Sequence, residues 1–281
     1  MDVLRIAAFS YNNEGGNPAG VVIGNEMPTE KEMLETARQI GYSETAFLKQ
    51  VKDGWRIRYF APEMEVAFCG HATIASGAAL GERFGEGTYR LLLNQGPISV
   101  SASRSQTGAF IATLRSPETW SEAAPQEYVN KILTEFNWSS ADLDANFPVR
   151  FAFAGAKHLI LALKDRKKLA EMSYQFDPLK TLMQNEGLTT ISLIWNESNR
   201  RFHARNPFPV GGILEDPATG AAAAALAGYL RDIEWQGDNS FDILQGEDMG
   251  YPSRLAVQFT RNKGEGVQVS GETRHITKED A

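Results

Sequence analysis

Two segments gather small and polar residues in front of predicted helices. One is Cys69-Gly70-His71-Ala72-Thr73, running into Ile74–Leu80; the other is Glu215-Asp216-Pro217-Ala218-Thr219-Gly220, running into Ala221–Leu230. The first turn of a helix presents N–H groups without intrahelical acceptors at the positive end of its dipole, so both starts suit a carboxylate or phosphate. Ordinary capping by Thr73 or Asp216 accounts for either start alone, and Asp216 ahead of a proline suits an N-cap. Two such starts in one chain shift the reading toward a shared anion site, with Asp216 beside it to hold an ammonium group. His71 is a hydrogen-bond partner there or a satisfied structural residue. Cys69 is a reactive thiolate, as helix N-termini favour, or a small core residue, the reading preferred here. Glu44, in Tyr42-Ser43-Glu44-Thr45-Ala46-Phe47, is an acid at a strand start between apolar residues, although most such glutamates face solvent.

Other chemistries lack their residues. His158, His203 and His275 stand apart from His71 and from one another, with no H-E-x-x-H spacing, so no metal centre is expected. Gly15-Gly16-Asn17-Pro18 is a tight turn and no P-loop, and neither G-x-S-x-G nor G-x-G-x-x-G occurs.

The elements that must position these residues read as an alternation of strands and helices. Strands are predicted at Leu4–Phe9, Ala19–Ile23, Thr45–Val51 and Trp55–Phe60, the last two joined at Asp53-Gly54. A helix capped by Thr29 carries Met33, Leu34, Ala37 and Ile40 at helical spacing and stops at Gly41. Further strands fall at Arg90–Leu93, Ile98–Ala102 and Phe110–Leu114. After a helical stretch through Val129–Phe136, the strand Leu159–Leu163, the helix Leu179–Asn185 and the strand Thr190–Trp195 rebuild the rhythm. Leu255–Thr260 and Val267–Ser270 close the chain.

The two small-residue helices resemble each other. Setting Cys69–Leu80 against Glu215–Leu226 matches six of twelve residues, and Arg58-x-x-x-Pro62 upstream mirrors Arg205-x-x-x-Pro209. An offset of about 146 residues is half the chain, which argues for duplication; solenoid repeats run to about 20–50 residues. A helix of alanine and glycine that is non-polar all round belongs inside its domain. The expected architecture is α+β: two pseudo-symmetric halves, each a curved, mostly antiparallel sheet wrapped around a central helix. Residues 1–115 form the first half, with the last strand, about 265–281, able to rejoin it, and residues 116–264 form the second.

Composition removes several function classes. The 281 residues carry 35 acids against 28 Lys and Arg, a net charge of −7, and no basic stripe occurs, so no nucleic-acid partner is expected. The longest weakly polar run, Ala218–Leu230, is too short to span a bilayer, and Met1–Ser10 is no signal peptide, so no membrane partner is expected. A single cysteine, Cys69, precludes an intrachain disulfide and fits a cytoplasmic protein.

Taken together the segments resemble the phenazine-biosynthesis PhzF-like family. The matching pieces are Gly16-Asn17-Pro18-Ala19-Gly20-Val21, Ser43-Glu44-Thr45-Ala46-Phe47, Arg58-Tyr59-Phe60-Ala61-Pro62, Cys69-Gly70-His71-Ala72-Thr73 and Glu215-Asp216-Pro217-Ala218-Thr219-Gly220, spread from residue 5 to about 270. The resemblance implies the diaminopimelate-epimerase-like fold and a cofactor-free isomerase, a homodimer, with its site in a cleft between the halves. It makes Glu44 the general acid/base, His71 and Asp216 polar partners of the substrate, Gly70 and Gly220 donors of backbone N–H groups, and Ser43 the neighbour of the acid/base. The substrate class it implies is a small amino or hydroxy carboxylate. Two residues depart from the family pattern: Ala221 stands where many relatives carry serine, and Arg205-Asn206-Pro207-Phe208-Pro209 replaces the usual Arg-x-Phe-x-Pro order. Cys69 resembles the first catalytic cysteine of the epimerases, which need a second. A thiol-based amino-acid epimerase or racemase is therefore one alternative, and a catalytically silent carboxylate-binding protein is the other.

Overall fold

The computed structural model describes residues 1–94 and 96–277. Residues 1–115 and 270–277 make one compact unit, and residues 116–269 make the other. The last four residues of the stretch expected to rejoin the first half, 278–281, lie outside the described residues.

The first unit contains β1 (Leu4–Ser10), β2 (Asn17–Gly24), α1 (Glu30–Ile40), β3 (Thr45–Val51), β4 (Gly54–Phe60), β5 (Glu65–Val66), α2 (Gly70–Phe84), β6 (Gly87–Leu93), β7 (Gly96–Arg104) and β8 (Phe110–Arg115). The second contains β9 (Trp120–Ala123), α3 (Gln126–Glu135), β10 (Arg150–Phe153), β11 (Lys157–Ala162), α4 (Arg166–Ala170), α5 (Phe176–Asn185), β12 (Thr190–Ser198), β13 (Arg201–Pro207), β14 (Glu215–Asp216), α6 (Gly220–Asp232), β15 (Ser240–Gln245) and β16 (Ser253–Gln258). The final strand, β17 (Gln268–His275), returns to the first unit and pairs antiparallel with β1, Ile6 opposite His275.

In the first unit the strands close on themselves. β1 is antiparallel to β2, β2 parallel to β3, β3 antiparallel to β4, β4 parallel to β6, and β6, β7 and β8 follow antiparallel. β17 then bridges β8 and β1. α2 runs through the ring, with every residue from His71 to Gly81 buried. The ring admits only a thin helix: a Cβ added at Gly77 would lie 2.5 Å from Val100 Cγ2, and one at Gly81 would lie 2.6 Å from Ala102 Cβ. α1 lies outside the ring, where Met33 and Ala37 pack with Val22, Phe47 and Phe60. Its start is a capping box between Thr29 and Glu32, and its end is Gly41, held at φ 72°, where glycine carries no steric cost. The hairpin turn between β3 and β4 centres on Lys52-Asp53, one residue before the expected position, because Gly54 already pairs with Val51.

The second unit repeats the connectivity. From β10 through β11, β12, β13, β15 and β16 the pairings run antiparallel, parallel, antiparallel, parallel, antiparallel, the series seen from β1 to β7. β9 adds to β10. α6 is buried from Ala222 to Arg231. On the other face of the sheet, Tyr128 and Ile132 of α3 and Leu179 and Met183 of α5 pack with Leu159, Leu161 and Leu193. Strands covered on both faces need apolar residues without alternation, which is why His158–Ala162 is buried throughout.

Candidate active site

The repeated connectivity fixes which residues of the two units correspond. In the first, Arg58 Nε and Nη2 donate to Glu65 at 2.8 and 2.5 Å, locking the short strand β5 onto β4. In the second, Arg205 Nε and Nη2 donate to Glu215 at 2.8 and 3.0 Å, doing the same for β14 and β13. This forked pair accounts for the arginine of the shared lead-in. Each helix begins five residues after its glutamate, at Gly70 and Gly220. Cys69 therefore corresponds to Thr219 and His71 to Ala221. The sequence comparison, which set Cys69 against Glu215, is four residues out of register. An alanine-rich helix matches itself again after about one turn of 3.6 residues, so composition could not discriminate the register.

Four of the expected site residues converge in the first unit. Glu44 precedes β3, its carbonyl accepting from Gly20 N–H at 3.2 Å. Its Oε2 lies 3.4 Å from His71 Nε2, with the two side chains 16% and 8% exposed. Ser43 Oγ reaches the same nitrogen at 3.3 Å. Gly70 is the first residue of α2, immediately beside His71. Cys69 Sγ sits 3.4 Å from His71 Nδ1 and 3.8 Å from Nε2. One donor atom each from Glu44, Cys69 and His71 fall within 4.8 Å of one another, so these residues could hold a metal ion, which the histidine spacing in the sequence did not suggest.

The helix start that carries His71 is tied to β4 through Thr73. Thr73 donates its hydroxyl to the Cys69 carbonyl at 2.6 Å and shares a 2.6 Å hydrogen bond with Tyr59 Oη. Thr73 is thus committed to the second turn and does not cap the helix. The N-cap is Cys69, which makes no side-chain cap bond. Burial pushes the Tyr59 phenol far above its ordinary range, so it stays neutral as a packing and hydrogen-bonding group.

Asp216 and Gly220 lie in the second unit. Asp216 is not the N-cap; Thr219 is, and it too makes no side-chain cap bond. Asp216 sits instead on β14, opposite Asn206. Its Oδ2 accepts the Thr219 hydroxyl at 2.6 Å. Gln245, buried at the end of β15, donates from Nε2 to the Asp216 carbonyl at 2.7 Å and to Thr219 Oγ1 at 3.1 Å, while its Oε1 accepts from Thr219 N–H. A hydroxyl has one proton. With the Gln245 amide donating into Thr219 Oγ1, that proton is directed at the Asp216 carboxylate. Sequence reasoning missed Gln245, and no local pattern marks it; β15 is needed to bring it there. Ala221 is half-buried in the first turn of α6.

A sequence model of one family, described as Phenazine biosynthesis-like protein (PhzC-PhzF), matches residues 6–278. The chain belongs to the phenazine biosynthesis-like family. It is 29% identical to an uncharacterized isomerase of Clostridium acetobutylicum, over 95% of this chain and 93% of that one. It is 27% identical to a trans-2,3-dihydro-3-hydroxyanthranilate isomerase of Pseudomonas fluorescens, over 95% and 94%. The crystal structure of a PhzF-family phenazine biosynthesis protein from Bacillus anthracis has the same fold, with a TM-score of 0.85 at 22% identity, over 99% and 98% of the two chains. That fold is the diaminopimelate-epimerase-like one, α+β and built twice, as the sequence resemblance implied. As a member of this phenazine biosynthesis-like family, the chain is an isomerase by class.

Proposed function

We propose that the protein is a cofactor-independent isomerase that moves a proton on a small amino or hydroxy carboxylate, with Glu44 as general acid/base. The observation that supports this most is the Glu44–His71 contact, 3.4 Å in a largely buried setting beside an uncapped helix start. His71 Nε2 can donate to an ionised Glu44 or, in the other tautomer, accept from a protonated one, so both protonation states of the carboxyl are accommodated. Glu44 takes a proton from one carbon of an unsaturated substrate, the double bond shifts, and Glu44 returns a proton to another carbon on the same face. One C–H bond breaks and one forms, with no net oxidation and no co-reactant. In this reading the Gly70 N–H, at the uncapped start of α2 beside His71, takes up the substrate carboxylate, and Asp216, oriented by Thr219, and the Gly220 N–H serve as further polar groups for the substrate.

The substrate class draws on the Pseudomonas fluorescens relative, whose name describes an amino, hydroxy carboxylate. A panel of unsaturated amino and hydroxy acids incubated with the enzyme in D2O tests the proposal. Isomer formation with deuterium at the newly bonded carbon supports it; isomer formation unaffected by Glu44→Gln contradicts it. We place the enzyme in the cytoplasm as a homodimer, and a monomer by light scattering would refute the assembly.

Cys69 favours a second reading, thiol-based epimerisation, since its Sγ lies 3.4 Å from His71 Nδ1. Two-base epimerisation needs a second base across the carbon, and the chain has one cysteine. Cys69→Ala keeps most activity if the first reading holds and abolishes it if the second does. The third reading, silent carboxylate binding, is favoured by Ala221, which leaves α6 only backbone groups at that position; binding without exchange across the D2O panel would establish it.

A further inference from the structure

The mechanism proposed above leaves Cys69 without a task, although it is buried within 3.8 Å of both ring nitrogens of His71. We propose that Glu44, Cys69 and His71 form a binding site for one zinc-class divalent cation, and that the bound ion blocks the enzyme. Carboxylate, thiolate and imidazole are the donors zinc takes, at about 2.0–2.3 Å, which puts neighbouring donors of a tetrahedral site about 3.3–3.8 Å apart. His71 Nε2 stands 3.4 Å from Glu44 Oε2 and 3.8 Å from Cys69 Sγ. All three donors fall within 4.8 Å; Cys69 Sγ stands nearly equidistant from the two ring nitrogens, so closing the set takes a turn of the His71 ring or the Cys69 side chain as well as of Glu44. Three ligands leave a fourth position open for water or a substrate carboxylate.

The thiolate decides the class of ion. A sulfur donor disfavours magnesium and calcium, which take oxygen ligands, and favours zinc, cobalt and copper(I). The ion replaces the thiol proton, so at neutral pH binding releases a proton from Cys69. Once on the metal, the Glu44 carboxylate shares its charge with the cation and is too weak a base to take a proton from carbon. The blocking half of the proposal rests on Glu44 being the proton carrier; the binding half does not.

Cobalt(II) is the direct probe, because it reports thiolate ligation without any substrate. Titration of the reduced, metal-stripped protein should give a saturable one-to-one complex with a thiolate-to-cobalt charge-transfer band in the near ultraviolet and intense tetrahedral visible bands. Zinc should displace the cobalt. Cys69→Ser should lose the charge-transfer band and weaken zinc binding at least about 100-fold, more than loss of an outer-shell partner costs. Glu44→Gln should keep the band and bind more weakly, which guards against a Cys69 variant that fails to fold. Absence of the band in the wild-type protein, or equal zinc affinity in wild type and Cys69→Ser, overturns the site. On the substrate found by the D2O panel, saturating zinc should remove more than nine-tenths of turnover, restored by a chelator. Full turnover with zinc bound overturns the block and leaves the isomerase reading untouched.

Discussion

Glu44 Oε2 and His71 Nε2 lie 3.4 Å apart although 27 residues separate them in the chain, one at the foot of β3 and the other in the first turn of α2. The contact exists because α2 is threaded through a closed ring of strands, so the residue at its start meets the strand that begins beside it. Burial of both side chains limits competition from water and sets the contact apart from a surface ion pair.

The forked pair in the second unit should matter more for stability than its counterpart. Arg205 and Glu215 are 11% and 5% exposed, whereas Arg58 and Glu65 are 20% and 23%. Arg205→Leu leaves a buried carboxylate without its partner and should cost about 3–5 kcal/mol by denaturant unfolding. Arg58→Leu should cost less. Adding Glu215→Leu to Arg205→Leu should recover much of the loss, and no recovery would contradict the burial argument.

The thinness of α2 is a packing requirement. Gly77→Ala gains helix propensity but drives its Cβ to 2.5 Å from Val100 Cγ2, a stiff, buried side chain. The net effect should be destabilisation by about 1–3 kcal/mol, read as a lower denaturation midpoint. A neutral or stabilised variant would show that the ring around α2 is looser than described.

His158 should impose a pH dependence on stability. It is fully buried, its Nδ1 bonded to Thr190 Oγ1 at 2.8 Å, and Thr190 spends its own proton on Asn206 Oδ1. His158 Nε2 has no hydrogen-bond partner among the described residues. Desolvation pushes its pKa from 6.5 down to about 3. The folded state therefore binds fewer protons than the unfolded one between those values. Stability attributable to this histidine is complete above pH 6.5 and lost as pH falls toward 3, by up to about 1.4 kcal/mol per pH unit. His158→Gln should flatten the wild-type decline between pH 7 and pH 5 by about one proton's slope; parallel curves would contradict the assignment.

Ala221 offers a gain of function. Ala221→Ser adds a hydroxyl in the first turn of α6. One added hydrogen bond is worth about 0.5–1.5 kcal/mol, so affinity for a hydroxy- or carboxylate-bearing substrate should rise about two- to tenfold. Isothermal titration with the substrate found by the D2O panel would measure it, and unchanged affinity would place Ala221 away from the ligand.

Much of this was legible in the sequence because the signals were local. Thr29 and Gly41 mark the two ends of α1, and the alanine-glycine composition of α2 and α6 marks them as interior helices. Glu44, Ser43, Gly70 and His71 came from motif pieces that resemble a family, and the structure brings them together. What could not be read depends on distance along the chain. Gln245 reaches Thr219 only through strand pairing in the second unit, Thr219 displaces Asp216 as the cap, and the register of the repeat emerges only from the Arg58–Glu65 and Arg205–Glu215 pairs. The Glu44, Cys69 and His71 donor set was hidden for the same reason, since 25 residues separate Glu44 from Cys69.

The central claim is that Glu44 carries the proton, and Glu44→Gln tests it most directly because the substitution keeps shape and removes only the ability to exchange a proton. On the substrate identified by the D2O panel, kcat should fall about 10²–10⁴-fold, while ligand affinity and thermal stability stay near wild type. A Glu44→Gln enzyme that folds, binds, and retains more than about a tenth of wild-type kcat would contradict the account, because a loss that small lies well below what a general acid–base group contributes.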